Sequence, residues 1–508
     1  MKKVRSLFFI SLLLLAAACG KQPGGTDEPT KEPEITDGAL TPTPEITAGP
    51  DEGDTALNGE YLRYTFDLNE KHQKIDGFGG AFTWYSDQVF TTGNTAGLLD
   101  AAFSDAKMSI IRFKNEYAYS VEGVAGNVGP MVRIYEAAVE RAAKYGEEPT
   151  ILLSCWSPPA RLKSNHSING GGSLAKHEDG TYMYEEYAQW WVESVQFYRD
   201  WGIKIDYVSI QNECDFVASY DGCEFAQTET STHASYAKAF LAVYDALREA
   251  FGDEAPKMIA PETMTCEPLK LYGYVREIID TKPESIYGIG YHLYVGGDSN
   301  EDNNTVKYDS FRWNFMDMEK YFGEYGYARW QTEFFRGRGL QTAALINNAM
   351  EWADMNAYIY WSAVWPNAAG DFESGELIGI DSGKKVNKDG WLLCADYYAL
   401  RHFSEFIRPG YIRVGAEVED KMDFKTSAYV SEDGKKVVLV VINLGEKERT
   451  LQVPAEGYHI TGSEIYQSVL GIDDSSNNVL YENIGALQAG NTVKLPAESI
   501  TTIVLDLE

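Results

Sequence analysis

The sequence predicts an α/β protein, a (β/α)8 barrel with a side β-sandwich domain built mainly from the C-terminal part of the chain. Between residues 73 and 407, eight short β-rich runs alternate with longer amphipathic segments such as Tyr184–Trp201 and Ser235–Phe251. This alternation is typical of a parallel sheet covered by helices, and eight strands favour a closed barrel. The eight runs are Lys74–Phe82, Ser109–Phe113, Thr150–Ser154, Asp206–Gln211, Lys257–Ala260, Ile286–His292, Ala328–Glu333 and Ala357–Ser362.

The first element, residues 1–19, is predicted to be a lipoprotein signal peptide. Basic residues precede an apolar run, Leu7–Ala18, that is interrupted only by Ser11 and is too short to span a bilayer as a helix. The run ends in three alanines followed by Cys19 and Gly20, a pattern in which the cysteine carries the lipid anchor. The alternative is ordinary signal-peptide cleavage beside an incidental cysteine.

Residues 20–58 are predicted to be a disordered acidic linker, because Gly, Pro, Thr, Glu and Asp dominate and aromatic residues are lacking. Residues 59–72 are expected to add an N-terminal strand to the side domain, residues 73–407 to form the catalytic barrel, and residues 408–508 to form the sandwich. After Arg408 the pattern changes to strands joined by Gly- and Asp-rich turns. Those strands are Val437–Asn443, Glu448–Val453 and Ile500–Leu507.

The charge balance restricts the partners that the protein can bind. The 44 basic and 76 acidic residues give a net charge of -32, which argues against nucleic acid as a ligand and disfavours strongly anionic substrates. Aromatic residues make up 13% of the chain. Their rings stack well on sugar faces, although they also fill protein cores.

No metal or organic cofactor is expected. The histidines are scattered and no CxxC pair occurs, so no zinc site is predicted. The acidic loop at residues 298–304 offers closely spaced oxygen ligands, but it lacks the glycine of a calcium loop and is interpreted as solvated.

Two predicted barrel strands lead into a glutamate at the face where barrel enzymes bind substrate. The fourth run is followed by Asn212 and Glu213, and the seventh ends in Glu333. Glycosidic cleavage needs one carboxylic acid to protonate the leaving oxygen and one carboxylate at the anomeric carbon. Either glutamate alone could be a salt-bridged surface residue, but the two together favour a glycosidase.

From about residue 60 to the C-terminus the chain resembles glycoside hydrolase family 30, a retaining family with a barrel and a side β-domain. The matching segments occur in the family's order and spacing. They are Asp76–Ala81, Trp156–Ala160, Gln211–Glu213, His292–Tyr294, Thr332–Glu333 and Phe403–Tyr411.

The resemblance implies Glu213 as the acid/base and Glu333 as the nucleophile. Asn212 would bind the sugar 2-hydroxyl, Arg112 would keep Glu333 ionised or form a structural salt bridge, and His292 would orient the site or serve as a structural histidine. Four aromatic residues would line the subsites, although each could equally be a core residue. These four are Trp84, Trp156, Tyr294 and Trp361.

Two departures from the family pattern concern the surroundings of these residues. Cys214 stands where the family has proline after the acid/base, and a disulfide with Cys223 is one of two open alternatives, the other being two unrelated thiols. The eighth-strand loop, Trp361–Gly370, lacks the arginine with which the glucuronoxylan-specific branch grips glucuronate.

These observations predict a retaining endo- or exo-acting β-glycoside hydrolase of cell-wall polysaccharide, most simply a β-1,4-xylanase that does not depend on glucuronate branches. A β-1,6-glucanase is the alternative within the family, because Lys163–Ser173 resembles that branch. A non-catalytic surface glycan-binding lipoprotein is the alternative from another class. We expect a monomer at the bacterial cell surface, attached to the membrane only through its N-terminal lipid.

Overall fold

The computed structural model describes residues 61–295, 308–335, 338–381, 383–421, 423–453, 457–470 and 478–508. Cys19, the linker and the acidic loop at 298–304 lie outside the described residues. Strand β1 (Tyr61–Lys74) leads into eight parallel strands that form a closed barrel. The predicted fold class is therefore confirmed. The barrel strands are β2 (Gly77–Ala81), β3 (Ile110–Lys114), β4 (Thr150–Ser154), β5 (Tyr207–Ser209), β6 (Lys257–Thr265), β7 (Gly288–Val295), β8 (Ala328–Glu333) and β9 (Ala357–Tyr360).

The barrel closes because β9 pairs in parallel with both β8 and β2, with Phe78 opposite Tyr358. Branched and aromatic side chains fill its interior, and Ile110, Leu152, Ile259 and Trp330 are all fully buried there. This filled interior leaves the strand ends and their loops as the place for a site.

The helices surround the barrel and show the apolar spacing that their burial requires. In the helix Tyr236–Phe251 the buried Phe240, Val243 and Leu247 recur every three or four residues, and the side chain of Ser235 caps the helix by accepting a hydrogen bond from Lys238 N. The described α-helices are α1 (Thr95–Asp100), α2 (Val128–Ala142), α3 (Tyr184–Asp200), α4 (Tyr236–Phe251), α5 (Pro268–Thr281), α6 (Arg312–Phe322), α7 (Gly339–Trp352) and α8 (Ala395–Ser404). Within the described ranges, none of the helices combines the length and the apolar character needed to cross a bilayer.

The side domain is a nine-stranded sheet in which both ends of the described chain take part. Strand β1 pairs antiparallel with β13 (Ile412–Val418) and parallel with β16 (Arg449–Gln452). The other strands of the sheet are β14 (Phe424–Val430), β15 (Lys436–Asn443), β17 (Ile460–Val469), β18 (Val479–Gly485), β19 (Thr492–Leu495) and β20 (Ser499–Leu507).

A small third sheet includes part of the segment that follows β9, the eighth strand of the barrel. Strand β10 (Val364–Pro366) pairs in parallel with β11 (Ile378–Ile380), which pairs antiparallel with β12 (Trp391–Leu393). This sheet gives the eighth-strand loop a defined backbone, with Trp365 opposite Gly379.

Candidate active site

The two glutamates singled out in the sequence lie close together at the C-terminal ends of the barrel strands. Glu333 is the last residue of β8, and Glu213 follows β5 by four residues. Their side chains are buried, with 5% of Glu213 and 6% of Glu333 exposed. A carboxylate oxygen of each and a ring nitrogen of His292 lie within 4.8 Å of one another. The barrel therefore brings together two carboxylates from opposite sides of its mouth.

Arg112, on β3, holds Glu333 and Asn212 in place. Its guanidinium donates to Glu333 Oε2 and to Asn212 Oδ1, both at 2.6 Å, and to Ser154 Oγ at 3.1 Å. Tyr294 donates its hydroxyl proton to the other Glu333 oxygen at 3.0 Å. Both oxygens of Glu333 thus accept hydrogen bonds, and the amide nitrogen of Asn212 is the group that can donate to a sugar hydroxyl.

A third buried carboxylate, Glu262 on β6, completes the charge arrangement. Its Oε1 lies 3.1 Å from the Arg112 guanidinium and 3.9 Å from His292 Nε2. Burial raises the pKa of Glu262, but the positive charge of Arg112 and the charge and hydrogen bond of His292, together with a hydrogen bond from Ser209, lower it to about 2. Glu262 is therefore an anion at neutral pH.

His292 connects Glu262 to Glu213, because its Nδ1 lies 3.1 Å from Glu213 Oε1. Burial alone lowers the pKa of His292, but the surrounding carboxylates, Glu333 foremost, raise it to about 9. At neutral pH the imidazole is consequently protonated and donates to Glu213.

The environment of Glu213 suits a carboxyl group that exchanges protons. Burial raises its pKa above the usual value, the hydrogen bond from His292 opposes this, and the nearby Glu333 raises the pKa further. The hydroxyl of Tyr220 donates to Glu213 Oε2 at 3.3 Å. Each Glu213 oxygen therefore faces a hydrogen-bonding group of the protein.

The backbone also couples Glu213 to Glu262. Glu213 N donates to Glu262 O at 2.8 Å, and both residues adopt left-handed conformations with φ of 47° and 60°. Non-glycine residues rarely adopt this conformation, which is found mostly where the surrounding structure enforces it. The surroundings of these two residues therefore fix the direction of both side chains.

Aromatic side chains surround the carboxylates. The ring of Trp84 lies 5.4 Å from those of Trp156 and Trp361 and 6.0 Å from that of Tyr220. The ammonium of Lys114 lies 4.5 Å from the centre of the Trp84 ring. Trp84 and Trp361 are half-buried, whereas Trp156 is buried.

Every site residue that the sequence predicted, apart from Cys19, thus lies at or beside one site. The chemical role of each residue stays a prediction. The sequence interpretation missed Glu262, Tyr220 and the buried ion pair of Lys114 with Asp221, whose atoms lie 2.7 Å apart. Glu262 had a visible signal, since it is the single acidic residue of β6 and directly follows the apolar run Met258–Pro261. Tyr220 and Asp221 lie in an irregular loop whose pattern carries no such signal.

The disulfide considered between Cys214 and Cys223 is not formed, and both thiols are free and buried. Cys214 Sγ faces the carbonyl oxygen of Pro261 at 3.6 Å. Burial raises the pKa of Cys223 to about 12, with the ammonium of Lys163 partly opposing the shift. Although the two thiols are only nine residues apart in sequence, they face different neighbours, so the structure favours the second alternative, two unrelated thiols.

Comparison with known proteins places both domains in one family. Residues 132–260 match the glycosyl hydrolase family 30 TIM-barrel domain, and residues 412–503 match the glycosyl hydrolase family 30 beta sandwich domain. The chain is 23% identical over 457 residues to glucuronoxylanase XynC of Bacillus subtilis (strain 168), covering 87% of this chain and 91% of that protein. It is 24% identical over 443 residues to lysosomal acid glucosylceramidase of Mus musculus, covering 78% and 80%.

A solved structure shows the same fold. The catalytic domain of GH30 xylanase C from Talaromyces cellulolyticus superposes with a TM-score of 0.66 at 20% identity, covering 87% of this chain and 99% of that domain. With matching family models for the barrel and the sandwich and a common fold throughout, the chain belongs to glycosyl hydrolase family 30, a family of O-glycosyl hydrolases.

Proposed function

We propose that this enzyme is a retaining β-glycosidase that cleaves β-1,4-xylan without requiring glucuronate branches. The observation that carries the proposal is the short separation of the carboxylate oxygens of Glu213 and Glu333, which lie within 4.8 Å. Retaining glycosidases hold their two carboxyl groups about 5–5.5 Å apart, whereas inverting enzymes leave room for a water molecule at about 6.5–9.5 Å.

In the first step of the proposed reaction, Glu213 gives its proton to the glycosidic oxygen as the bond to the anomeric carbon breaks. Glu333 forms the new bond to that carbon, with its carboxylate held by Arg112 and Tyr294. In the second step the Glu213 carboxylate removes a proton from water, which attacks the anomeric carbon and releases Glu333. Asn212 would bind the 2-hydroxyl, a contact that strengthens in the transition state.

The eighth-strand loop and the charge of the chain support a neutral substrate. Residues 361–370 include no lysine or arginine, so no bidentate contact to a glucuronate is available from this loop. The net charge of -32 also repels anionic chains at low salt. The long alignment with a glucuronoxylanase supports xylan as the backbone of the substrate.

A β-1,6-glucanase remains the second candidate because of the Lys163–Ser173 loop. The Lys163 ammonium donates to the carbonyl oxygens of Ile168, Gly170 and Gly222, which ties this loop to the loop carrying Tyr220 beside Glu213. Rates on linear xylo-oligosaccharides, glucuronoxylan, a β-1,6-glucan and glucosylceramide distinguish the candidates. Cleavage confined to sites next to glucuronate contradicts the proposal, and activity on the glucan alone supports the second candidate.

The catalytic roles are tested by replacing each glutamate and adding azide. In Glu333→Gly, azide should restore turnover of an activated aryl β-glycoside and give the α-glycosyl azide, because it attacks from the face that the nucleophile occupied. In Glu213→Ala, turnover of polysaccharide should fall by about 10²–10⁴-fold, while aryl glycosides with good leaving groups should be largely spared. Azide should then give the β-glycosyl azide.

A matched control is Glu376→Gln, which replaces a buried glutamate whose hydrogen bonds are made with Ser374 and Cys394 rather than with the catalytic pair. We expect this variant to keep the activity of the unmodified enzyme on polysaccharide. Full activity of either Glu213→Ala or Glu333→Gly on polysaccharide would contradict the assignment of the two catalytic residues. Such a result would favour catalysis by other residues of the chain.

A further inference from the structure

An open cleft lies at the end of the barrel opposite the two catalytic glutamates. Five of its lining residues stand at the first residue of a barrel strand or directly before it, whereas Glu213 and Glu333 lie at or after strand ends. Parallel barrel strands all begin on one face, so this lower cleft and the catalytic site open on opposite faces. The five residues are Asp76, Lys257, Tyr287, Ala328 and Asn356.

The lower cleft has the size of a ligand site. Its volume is about 870 Å³, within the range of about 300–1,000 Å³ that is usual for small-molecule sites. The face of a barrel where the strands begin usually serves stability. A face that serves stability alone needs no cleft of this size, so the lining residues are worth considering for what they could bind.

Two tyrosine rings that line the lower cleft form a preformed aromatic surface. Tyr325 and Tyr327 are half-buried, and their rings stack with centroids 5.5 Å apart and planes at 13°. Gly326 between them has φ of 65°, a left-handed conformation that favours glycine and turns the chain between the two rings. The hydroxyl of Tyr327 donates to Pro283 O at 3.1 Å. Rings that are held in this way lose little freedom when a ligand binds.

Hydrogen-bonding groups accompany these rings. Asp76 Oδ2 accepts hydrogen bonds from Trp330 Nε1 at 2.8 Å and from the Tyr287 hydroxyl at 3.0 Å. Because both bonds reach the same oxygen, they leave Oδ1 as an acceptor for a hydroxyl of a ligand. The ammonium of Lys257, a donor, lies 4.6 Å from the centre of the Tyr287 ring. The lower cleft thus offers an acceptor and a donor beside aromatic rings.

The charges that line the lower cleft balance, in contrast to the net charge of -32 on the chain. Sugar hydroxyls donate to carboxylates and accept from ammonium and guanidinium groups, whereas a charged ligand would be repelled by half of such a set. The apolar face of a pyranose also stacks on aromatic rings. The lining therefore matches a neutral sugar. The three basic and three acidic residues are Lys74, Arg248, Lys257, Asp76, Glu284 and Glu324.

We propose that the lower cleft is a second carbohydrate-binding site, which holds a neutral pyranose chain while another part of the polysaccharide is cleaved. The inference rests on the proposed function for the identity of the sugar chain, a xylan. A chain bound on this face is out of reach of Glu213 and Glu333. Binding there keeps the enzyme on insoluble polysaccharide without changing the chemical step, because a second contact raises the effective concentration of substrate at the first.

The test measures adsorption to insoluble xylan in a Glu333→Gln background, which prevents turnover. Tyr325→Ala and Tyr327→Ala, each added to that background, should raise the Kd for xylan by about tenfold, because each removes a stacking ring. Tyr325→Phe keeps the ring and should bind as the background does. Trp313→Ala, at a tryptophan on α6 that is 67% exposed and does not line the cleft, should leave the Kd unaltered.

A second readout uses the enzyme with Glu333 intact. The rate of Tyr325→Ala and of Tyr327→Ala on insoluble xylan at low enzyme concentration should fall by about tenfold, in line with the weaker adsorption. Their kcat/KM on a soluble aryl β-xyloside should equal that of the unmodified enzyme, because this substrate reaches only the catalytic face.

Two results would overturn the site while leaving the proposed function intact. One is unchanged adsorption in both alanine variants. The other is an equal loss of activity on soluble and insoluble substrates, which would show that the tyrosines only support the fold, and thermal melting of each variant identifies that case. If the unmodified enzyme cleaves the β-1,6-glucan and not xylan, the proposed function fails, and the same adsorption test with that glucan decides the site.

Discussion

Glu262 affects the candidate site through its neighbours. Its carboxylate lies against Arg112 and His292, and its backbone carbonyl binds Glu213 N. The anion therefore keeps positive charge in place beside both proposed catalytic carboxylates. A buried charge of this kind is favourable only with well-placed partners, and removing it leaves those partners incompletely compensated.

Replacing Glu262 with glutamine should lower the pKa of His292. In the unmodified protein the folded-state pKa of about 9 lies above the value of an unfolded histidine, so the stabilisation from His292 is complete below about pH 6.5 and is lost as the pH rises through 9. Without the Glu262 charge this loss should begin at lower pH. An NMR titration of the His292 imidazole measures the shift.

The same substitution should reduce the free energy of unfolding by about 3 kcal/mol, because it removes one partner of a buried ion pair. Chemical denaturation at neutral pH measures that change. Glu376→Gln again provides the control, since it should leave the titration of His292 unaltered. An unchanged His292 titration in Glu262→Gln would show that the other carboxylates suffice and that Glu262 does not position the imidazole electrostatically.

Helix α8 joins the barrel to the side sheet through His402. Its Nδ1 lies 2.9 Å from Thr502 Oγ1 on β20, and its Nε2 lies 2.8 Å from Ser468 Oγ on β17. The hydroxyl of Thr502 also donates to His402 O. Burial lowers the pKa of His402 to about 3, helped by the charge of Arg401, so the ring that connects these elements is neutral.

We expect this contact to make the fold sensitive to acid. The unfolded histidine takes up a proton near pH 6.5 while the folded one does not, so stability is present above that pH and is lost as the pH falls towards 3. Between pH 7 and 5 the loss from His402 should be about 2 kcal/mol. Urea unfolding across this range measures it.

The comparison for this prediction is His402→Gln against His459→Gln. The first variant removes the titrating ring and should show a smaller loss of stability on acidification, even if its stability at pH 7 is lower. The second replaces an exposed histidine that lies beside Glu508 and should leave the pH dependence unaltered. Equal pH dependence in the unmodified chain and His402→Gln would rule out this contact as the source.

For the whole molecule, we propose that the enzyme is held at the bacterial cell surface by a lipid on Cys19. The support is the basic and apolar leader that ends in small residues before Cys19, followed by an acidic linker at residues 20–58 that would separate the enzyme from the membrane. In a bacterial host, labelled fatty acid should be incorporated into the protein. In Cys19→Ala the label should be absent and the enzyme should move to the soluble fraction.

The matched control is a substitution of a buried cysteine, Cys266→Ala, which should leave labelling unaltered. A native protein that carries no label and has an ordinary cleaved terminus would contradict the anchor. Neither result affects the barrel or its carboxylates, so localisation and catalysis are tested separately.

The alternation of β-rich and amphipathic segments was enough to predict the barrel and its side domain. The spacing of apolar residues distinguishes a strand from a helix, and it can be read from a short stretch of sequence. The same reasoning placed Glu213 and Glu333 beside strand ends, since parallel strands all end on one face of a barrel. Trp84, Trp156 and Trp361 were identified through resemblance to family motifs, and their shared site follows from the loops they occupy.

Only the tertiary structure showed that Glu262 meets Arg112 and His292, and that Tyr85 meets Trp365 from the other end of the barrel sequence. Such contacts depend on the direction of each side chain after the barrel closes. The left-handed backbone at Glu213 and Glu262 and the separate surroundings of the Cys214 and Cys223 thiols have the same origin. A linear pattern predicts which residues reach the barrel mouth, whereas packing among distant segments decides which atoms meet there.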